Sequence, residues 1–310
     1  MLGLFCAWLF ANAVFVTPYY AAESIYLPLL LLAAFVSVAG LSRESQAQLF
    51  RAGVALVAAL VLLGLLQYYF DFWRPGPMPQ RAAATFVTPN SFATAVNLFL
   101  LPLAALHLVG QSARLAYPLS LWLFAGLVAS ESRGGMLALL AGLGFVVTCV
   151  GLRGLWERRA RLLGLLGGAL ATWLAVVVAK SLLVPFVQSM DGVGPTLDTW
   201  FARPTWDRAE IYGITLQLIL EQPLGGAGAN MFIPLFEAAK SDLFAGSIFY
   251  FAHNDYLQVW LEYGVIGLGL LIALACIAIA RAWRWASSRC SGPCRWTLRG
   301  VNCSCRCSCC

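Results

Sequence analysis

The residues best suited to chemistry lie in the segment AHNDYLQVWLEYGVIG at 252–267. His253 can accept a proton from a hydroxyl near neutral pH, because the imidazole titrates in that range. Asp255 and Glu262 follow it within an apolar run that predicts a membrane helix, and both share one helical face with Gln258. Ionisable side chains are costly to bury in lipid, so this face should line the protein interior or a wet cavity. The pattern therefore predicts a functional site.

A structural interpretation competes with this one. Asn254 or Asp255 would cap the free N–H groups at the start of the helix. Capping explains one of these residues but leaves Glu262, about two turns further along, without a role. For Asp255, capping and orientation of His253 remain equally open.

Two arginines are candidates for binding an anion. Arg133 lies in the string SRGG, a predicted tight turn whose glycines permit close backbone approach to a ligand. Arg208 opens a predicted helix over 208–220, where the helix dipole and the guanidinium both suit a phosphate. Arg203, earlier in the same loop, is an alternative to Arg208. For Arg133, a surface arginine that extends toward water is an equally good explanation.

The glycine-rich string GGAG at 225–228 resembles part of a nucleotide-binding loop. No predicted strand precedes it, so that interpretation is rejected. A turn is expected here, and the alternative is a turn whose backbone amides face a ligand.

Membrane helices must position these residues. Hydrophobic residues make up 61% of the chain, charged residues 11%, and the mean hydropathy is +0.79. A soluble domain carries about a quarter charged residues, so the composition predicts an integral membrane protein. Eight apolar runs are predicted to span: 2–16, 25–41, 52–70, 91–109, 115–130, 135–151, 162–187 and 256–280. The first and fifth of these runs are short. Sustained strand alternation is missing, so the expected fold is an all-α polytopic transmembrane helix bundle.

The arginines predict the orientation of the bundle. Four arginines lie in the link LRGLWERRAR at 152–161, and others follow the last span. Short loops rich in arginine stay in the cytoplasm, so both segments are predicted to be cytoplasmic. This places on the outer side the link 71–90, the turn 131–135 and a large loop over 188–254, which contains the predicted helix. The net charge of +6 thus reflects topology and does not indicate nucleic acid. Lys180, near the outer end of its span, is expected to extend its ammonium toward water.

Seven of the ten cysteines lie at 290–310. This tail has no histidine and lacks the two separated C-x-x-C pairs of a zinc site, so metal binding is the less favoured explanation of its cysteines. We divide the chain into a transmembrane domain at 1–288 and an anomalous tail at 289–310. A reading-frame change or a truncated gene is the preferred explanation of the tail, and the enzyme is expected to be inactive if that truncation removes needed spans.

Three segments in order resemble the O-antigen ligase/polymerase superfamily: SRGGMLALLAG, WDRAEIYGITLQLILEQPLGGAGANMF and AHNDYLQVWLEYGVIG. The stretch TPNSFATAVNLFLLPLAAL is similar to an earlier part of that family, and the likeness covers roughly 86–280. The resemblance implies a C-type glycosyltransferase-like fold in the bacterial inner membrane with its active site facing the periplasm. It also implies transfer of a glycan from undecaprenyl diphosphate to an acceptor hydroxyl, without metal or other cofactor.

The resemblance assigns roles by position. Arg133 and Arg208 match arginines that hold the carrier diphosphate, with Tyr212 as the aromatic residue after Arg208. His253 matches the histidine that deprotonates the acceptor or steadies the leaving diphosphate. Arg203, Asp255 and Glu262 are further candidates for substrate binding.

The expected activity is ligation of an O-antigen-like glycan to lipid A–core. The residues leave open two alternatives with the same chemistry, a polysaccharide polymerase and a protein O-oligosaccharyltransferase. A membrane transporter is the alternative from another class. It should show repeated halves or broken spans with polar residues at the membrane midplane, whereas the polar cluster here is predicted at the outer face. Expected partners are the lipid-linked donor, the hydroxyl acceptor and membrane lipids.

Overall fold

The computed structural model describes residues 2–16, 21–73, 81–86, 88–109, 115–188, 206–241, 244 and 249–290. Arg203 and residues 291–310 of the tail lie outside this part of the chain, and so do the predictions made for them. All regular structure in the described residues is α-helical, which confirms the predicted fold class. The helices are α1 (Leu2–Phe15), α2 (Ala21–Ala39), α3 (Arg43–Phe70), α4 (Pro89–Val109), α5 (Ala116–Ala129), α6 (Arg133–Glu157), α7 (Arg159–Gln188), α8 (Trp206–Glu221), α9 (Phe232–Ala239) and α10 (Asp255–Cys290).

A helix occupies each of the eight predicted spans. Five helical stretches within the described residues are long and apolar enough to cross a membrane: Arg43–Phe70, Pro89–Leu108, Arg133–Gly151, Arg159–Leu183 and Asp255–Arg281. The predicted short first and fifth runs are the shorter apolar helices α1 and α5, of 14 residues each. The chain is therefore a multi-pass membrane protein.

The larger hydrophobic core lies among α3, α4, α5 and α7. Val61 of α3 is fully buried against Gly126 of α5, so the two helices approach closely. Trp122 donates its indole N–H to the Ala58 carbonyl oxygen at 2.9 Å. Because this donor and acceptor join two apolar helices, they fix α5 to α3 in one register.

A second hydrophobic core lies in the predicted outer loop. It joins α8 and α9 to the beginning of α10 and includes Ile211, Ile219, Phe232, Phe236 and Leu261. The Phe232 and Phe236 rings stack with their centroids 5.1 Å apart. The predicted helix over 208–220 is confirmed as α8, which begins at Trp206, before the predicted cap at Asp207.

The last spanning helix is interrupted at Gly264, where φ is +68° and ψ is −175°. The interruption frees backbone groups, and the turn at 225–228 satisfies them. The amides of Ala227 and Gly228 donate to the carbonyls of Leu261 and Glu262 at 2.7 and 3.0 Å. Both amides thus donate to backbone carbonyls and stabilise the fold. This role differs from the ligand contact that the sequence offered as an alternative.

The amino-terminal helix packs against the same interruption. The Trp8 indole donates to the Tyr263 carbonyl at 2.9 Å, and the Asn12 amide donates to the Gly225 carbonyl at 3.0 Å. Non-helical backbone at the edge of a membrane needs such partners, because lipid offers none.

The predicted basic link at 152–161 is more ordered than a loop. The sixth predicted span ends at Gly151, whose φ of +73° breaks α6, but helix resumes through Glu157. Helix α7 then begins at Arg159 after a single turn residue.

Candidate active site

The start of α10 places His253 just outside the helix. The Asn254 side-chain oxygen accepts from the amides of Tyr256 and Leu257 at 3.1 and 3.3 Å, so Asn254 is the capping residue. His253 has a φ of +55°, an uncommon conformation for a residue with a side chain. The residue is exposed, although neighbouring atoms shield part of its imidazole from water. The Asn254 cap and the left-handed backbone of His253 together end α10 before His253, so this residue lies outside the helix.

Helix α8 brings Arg208 and Tyr212 to His253. These two residues are four apart, so they lie on adjoining turns of one helical face. The Tyr212 hydroxyl donates to the His253 carbonyl oxygen at 3.2 Å. Partial burial lowers the pKa of the His253 imidazole, and the nearby Arg208 charge lowers it further. The imidazole is therefore neutral at neutral pH and able to accept a proton.

Arg133 is the first residue of α6 and is exposed. The preceding Ser132 caps the helix by accepting from the Gly135 amide at 3.1 Å. The Ser132 hydroxyl also donates to Asn90 on α4 at 2.8 Å, and the Asn97 amide donates to the Gly135 carbonyl at 2.8 Å. Two α4 residues thus fix the backbone that carries Arg133.

A buried ion pair supports the same turn from the other side. Lys180 Nζ lies 2.5 Å from Glu131 Oε1, and the two side chains are 15% and 8% exposed. The Lys180 ammonium also lies 4.2 Å from the centroid of the Tyr68 ring, whose hydroxyl donates to Glu131 at 3.4 Å. Arg81 donates to the backbone carbonyls of Ser130 and Glu131 at 3.0 and 3.1 Å. The expectation that Lys180 extends toward water is wrong, because Glu131 and Tyr68 hold it inward.

Glu262 is buried, and its carboxylate is hydrogen-bonded to groups of the protein itself. The Gln258 side chain donates to its carboxylate at 3.2 Å, which confirms that these residues share a face. The amides of Asn230 and Phe232 also donate to it, so the carboxylate satisfies free N–H groups at the start of α9. Asp255 is exposed at the first turn of α10, where a negative charge suits the helix dipole. A substrate contact by either acid stays a prediction.

The structure thus divides the predicted residues between two places. Arg208 lies near enough to His253 in the outer-loop core region for its charge to act on the imidazole, and Arg133 lies at the end of the main bundle, on a helix that packs against α10. Sequence reasoning missed Glu131, Tyr68 and Asn90. Glu131 had one available signal, because it is an acid directly beside the SRGG turn. Across the described residues, no cluster of three or more histidines, cysteines or acids has the geometry to hold a metal ion.

Comparison with known proteins identifies one family. The family model described as O-antigen ligase matches residues 118–272, which is half of the chain. The matched region runs from within α5 through α6, α7, α8 and α9 to the first part of α10, and so it includes Arg133, Arg208 and His253. The curated proteins and the solved structures give no match.

Proposed function

This chain belongs to the O-antigen ligase family, whose members are membrane glycosyltransferases of the O-antigen ligase and polymerase type, and we propose that it joins a lipid-linked glycan to lipid A–core. The proposed donor is a glycan on undecaprenyl diphosphate. The proposed site faces the periplasm from the bacterial inner membrane and comprises His253, Arg208 and Arg133.

The observation that carries this proposal is the approach of Arg208 to His253. In a direct displacement the attacking hydroxyl and the departing diphosphate lie on opposite sides of the anomeric carbon. The base for the hydroxyl and the cation for the diphosphate must therefore lie in one site, on either side of a single sugar. Tyr212 keeps the two elements together through its hydrogen bond to the His253 carbonyl. The lowered pKa of His253 supports the same assignment.

The proposed reaction is a direct displacement. The acceptor hydroxyl oxygen forms a bond to the anomeric carbon of the donor sugar, while the bond from that carbon to the diphosphate oxygen breaks. His253 takes the proton from the hydroxyl. Negative charge develops on the departing undecaprenyl diphosphate, and the guanidinium of Arg208 stabilises it.

Arg133 is proposed to bind the same diphosphate from the main bundle. Its guanidinium is exposed at the N-terminus of α6, where the helix dipole also favours an anion. The charge distribution predicts that this end of α6 and the start of α10 lie on the same side of the membrane. The packing of α6 against α10 supports that arrangement.

The interruption at Gly264 bears on the transporter alternative, because broken spans occur in transporters. Here the freed carbonyls of Leu261, Glu262 and Tyr263 accept from Ala227, Gly228 and Trp8, so these groups serve the fold. From Val265 to Arg281 the helix still rises about 25 Å, close to the thickness of the hydrocarbon layer. The break therefore lies near the outer end of the span, which favours the enzyme.

The test is transfer by the purified full chain in lipid vesicles, with an undecaprenyl-diphosphate-linked glycan as donor. Three acceptors are offered separately: lipid A–core, a second lipid-linked repeat unit, and a protein with acceptor hydroxyls. Transfer to lipid A–core alone supports the ligase. Transfer only to one of the other two acceptors contradicts the ligase and replaces it with the polymerase or the oligosaccharyltransferase.

The variants Arg133→Ala, Arg208→Ala and His253→Ala test the site. Each is expected to lose transfer while keeping the wild-type melting temperature, because all three side chains are exposed. Arg43→Ala is the matched control, since Arg43 is also an exposed arginine at the first position of a helix. Full activity in the three site variants would refute the site assignment.

A further inference from the structure

Helix α8 has two apolar faces, and among the residues that the structure describes only one of them is covered. The covered face carries Ile211, Ile214, Leu218 and Ile219, which pack in the outer-loop core. The opposite face carries Ala209, Gly213, Leu216 and Leu220, all exposed. We call these four residues, with Leu224 just beyond the helix, the outer apolar face.

The exposure of this face is large. Leu220 is 73% exposed and Leu224 is 70% exposed. At about 100° per residue, the members on α8 fall within one narrow sector of the helix. A helix that lay on a protein surface in water would carry polar residues there. The second apolar sector therefore needs a partner.

A polar strip separates the two apolar faces. It consists of Glu210, Gln217 and Glu221, which fall together on the helical wheel. Glu210 in this strip accepts a hydrogen bond from the Ser241 hydroxyl. Helix α8 thus has a core face, a polar strip and an outer apolar face, which is the pattern of a helix lying where water, protein and lipid meet.

The place of α8 beside α10 identifies the partner. Tyr212 contacts His253 just before α10 begins, and Pro223 accepts from Trp260 and from the Val265 amide at 3.2 and 3.0 Å. Helix α8 therefore runs alongside the first part of α10 and ends at the Gly264 interruption.

Beyond the end of α8, at Gly264, the exposed apolar surface continues along α10. Leu224 lies directly against Gly264, and the next two residues of α10, Val265 and Ile266, are 43% and 44% exposed. The segment Asp255–Arg281 is long and apolar enough to span a membrane, so we expect exposed apolar residues of this kind to contact lipid. The outer apolar face is thus continuous with the lipid-facing surface of the last span.

From this continuity we propose that the outer apolar face of α8 is immersed in the lipid leaflet that α10 enters. The bilayer is the partner, and α8 is an interfacial membrane helix. In this arrangement Glu210 and Gln217 remain on the water side, and Arg208 is held at the level of the lipid headgroups. The proposal does not depend on the glycosyltransferase assignment.

Photo-crosslinking tests this contact. Benzoylphenylalanine, which reacts with nearby C–H bonds, replaces Leu220 in the full chain, reconstituted in vesicles of phosphatidylethanolamine and phosphatidylglycerol. Matched variants carry it in place of Gln217, which is also exposed on α8, and in place of Ile266 on the span. Lipid adducts are identified by mass spectrometry after irradiation.

The expected result is a lipid adduct at 220 and 266 and its loss at 217. A variant at Leu216, on the same face, repeats the measurement in case position 220 fails to give folded protein. An adduct at 266 without one at 220 or 216 would overturn the proposal. So would a crosslink from these positions to a second copy of the chain in place of lipid. Because no substrate is present, inactivity as a transferase leaves this outcome unchanged.

Discussion

Gly226 and Gly264 meet with no room for a side chain on either residue. A methyl group on Gly226 would lie 2.5 Å from the Gly264 nitrogen, and one on Gly264 would overlap the Leu224 carbonyl. Both glycines have positive φ, at +79° and +68°. This contact joins the outer loop to the last span, and so it fixes α8 relative to α10.

Gly264→Ala should destabilise the protein strongly. The left-handed backbone alone costs about 1–3 kcal/mol for a residue with a side chain, and the overlap with Leu224 adds to that cost. The measurement is thermal unfolding of the purified protein in detergent. Gly269→Ala is the control, because a methyl group there meets open space and improves helix propensity. Equal melting temperatures for both variants would disprove the close contact.

Lys180→Met should lower stability sharply, because it leaves Glu131 buried without its cation. Removing one member of a buried ion pair costs about 3–5 kcal/mol. The double variant with Glu131→Gln should recover much of this loss, since neither charge then remains. A double-mutant cycle on the unfolding free energies measures the coupling. If the losses of unfolding free energy in the two single variants simply add in the double variant, the ion pair at 2.5 Å does not contribute to stability.

Glu262→Ala should lower the stability of the protein and have no separate effect on catalysis. It removes the acceptor for Gln258 and for two backbone amides at the start of α9, and each unsatisfied buried donor costs about 1–3 kcal/mol. We expect a lower melting temperature and a transfer rate that falls only with the folded fraction. Asp255→Ala, an exposed acid on the same helix, is the control and should melt normally. Normal stability with lost donor binding in Glu262→Ala would assign this acid to the substrate instead.

The proposed transfer should depend on the neutral form of His253. Its pKa lies below the usual value, first through burial and second through Arg208, so the rate falls only as the pH drops through that lowered pKa. Arg208→Gln removes the second cause, so the pKa rises and the acid limb of kcat/KM moves to higher pH. This shift is separate from the lower rate that loss of diphosphate binding produces.

Arg43→Gln, which changes a distant exposed arginine, is the control for the pH profile. Its acid limb should coincide with that of the wild type. If the acid limb of Arg208→Gln stays in place or moves to lower pH, His253 is not the group whose titration sets this limb.

Much of the fold was predictable because apolar runs report membrane helices directly. The positions of the helices, including the helix after the 188–205 stretch, follow patterns that are local in sequence or shared with the family. The inward position of Lys180 was not predictable, since its partners Glu131 and Tyr68 lie on other helices. Hydropathy places a lysine near the end of a span but carries no information about which side chains pack beside it.

The sequence by itself determined the class of protein and the family, because composition and motif order are properties of the chain alone. Arg133, Arg208 and His253 stay a prediction of the site. The role of Glu262 depended on tertiary structure, since its acceptor function requires α9 to start beside α10. The role of the glycine-rich turn was likewise decided in space. Its amides pair with carbonyls that only the interruption at Gly264 makes available. Hydrogen bonds between distant segments form only when packing brings their donors and acceptors together, and packing is what the linear pattern leaves open.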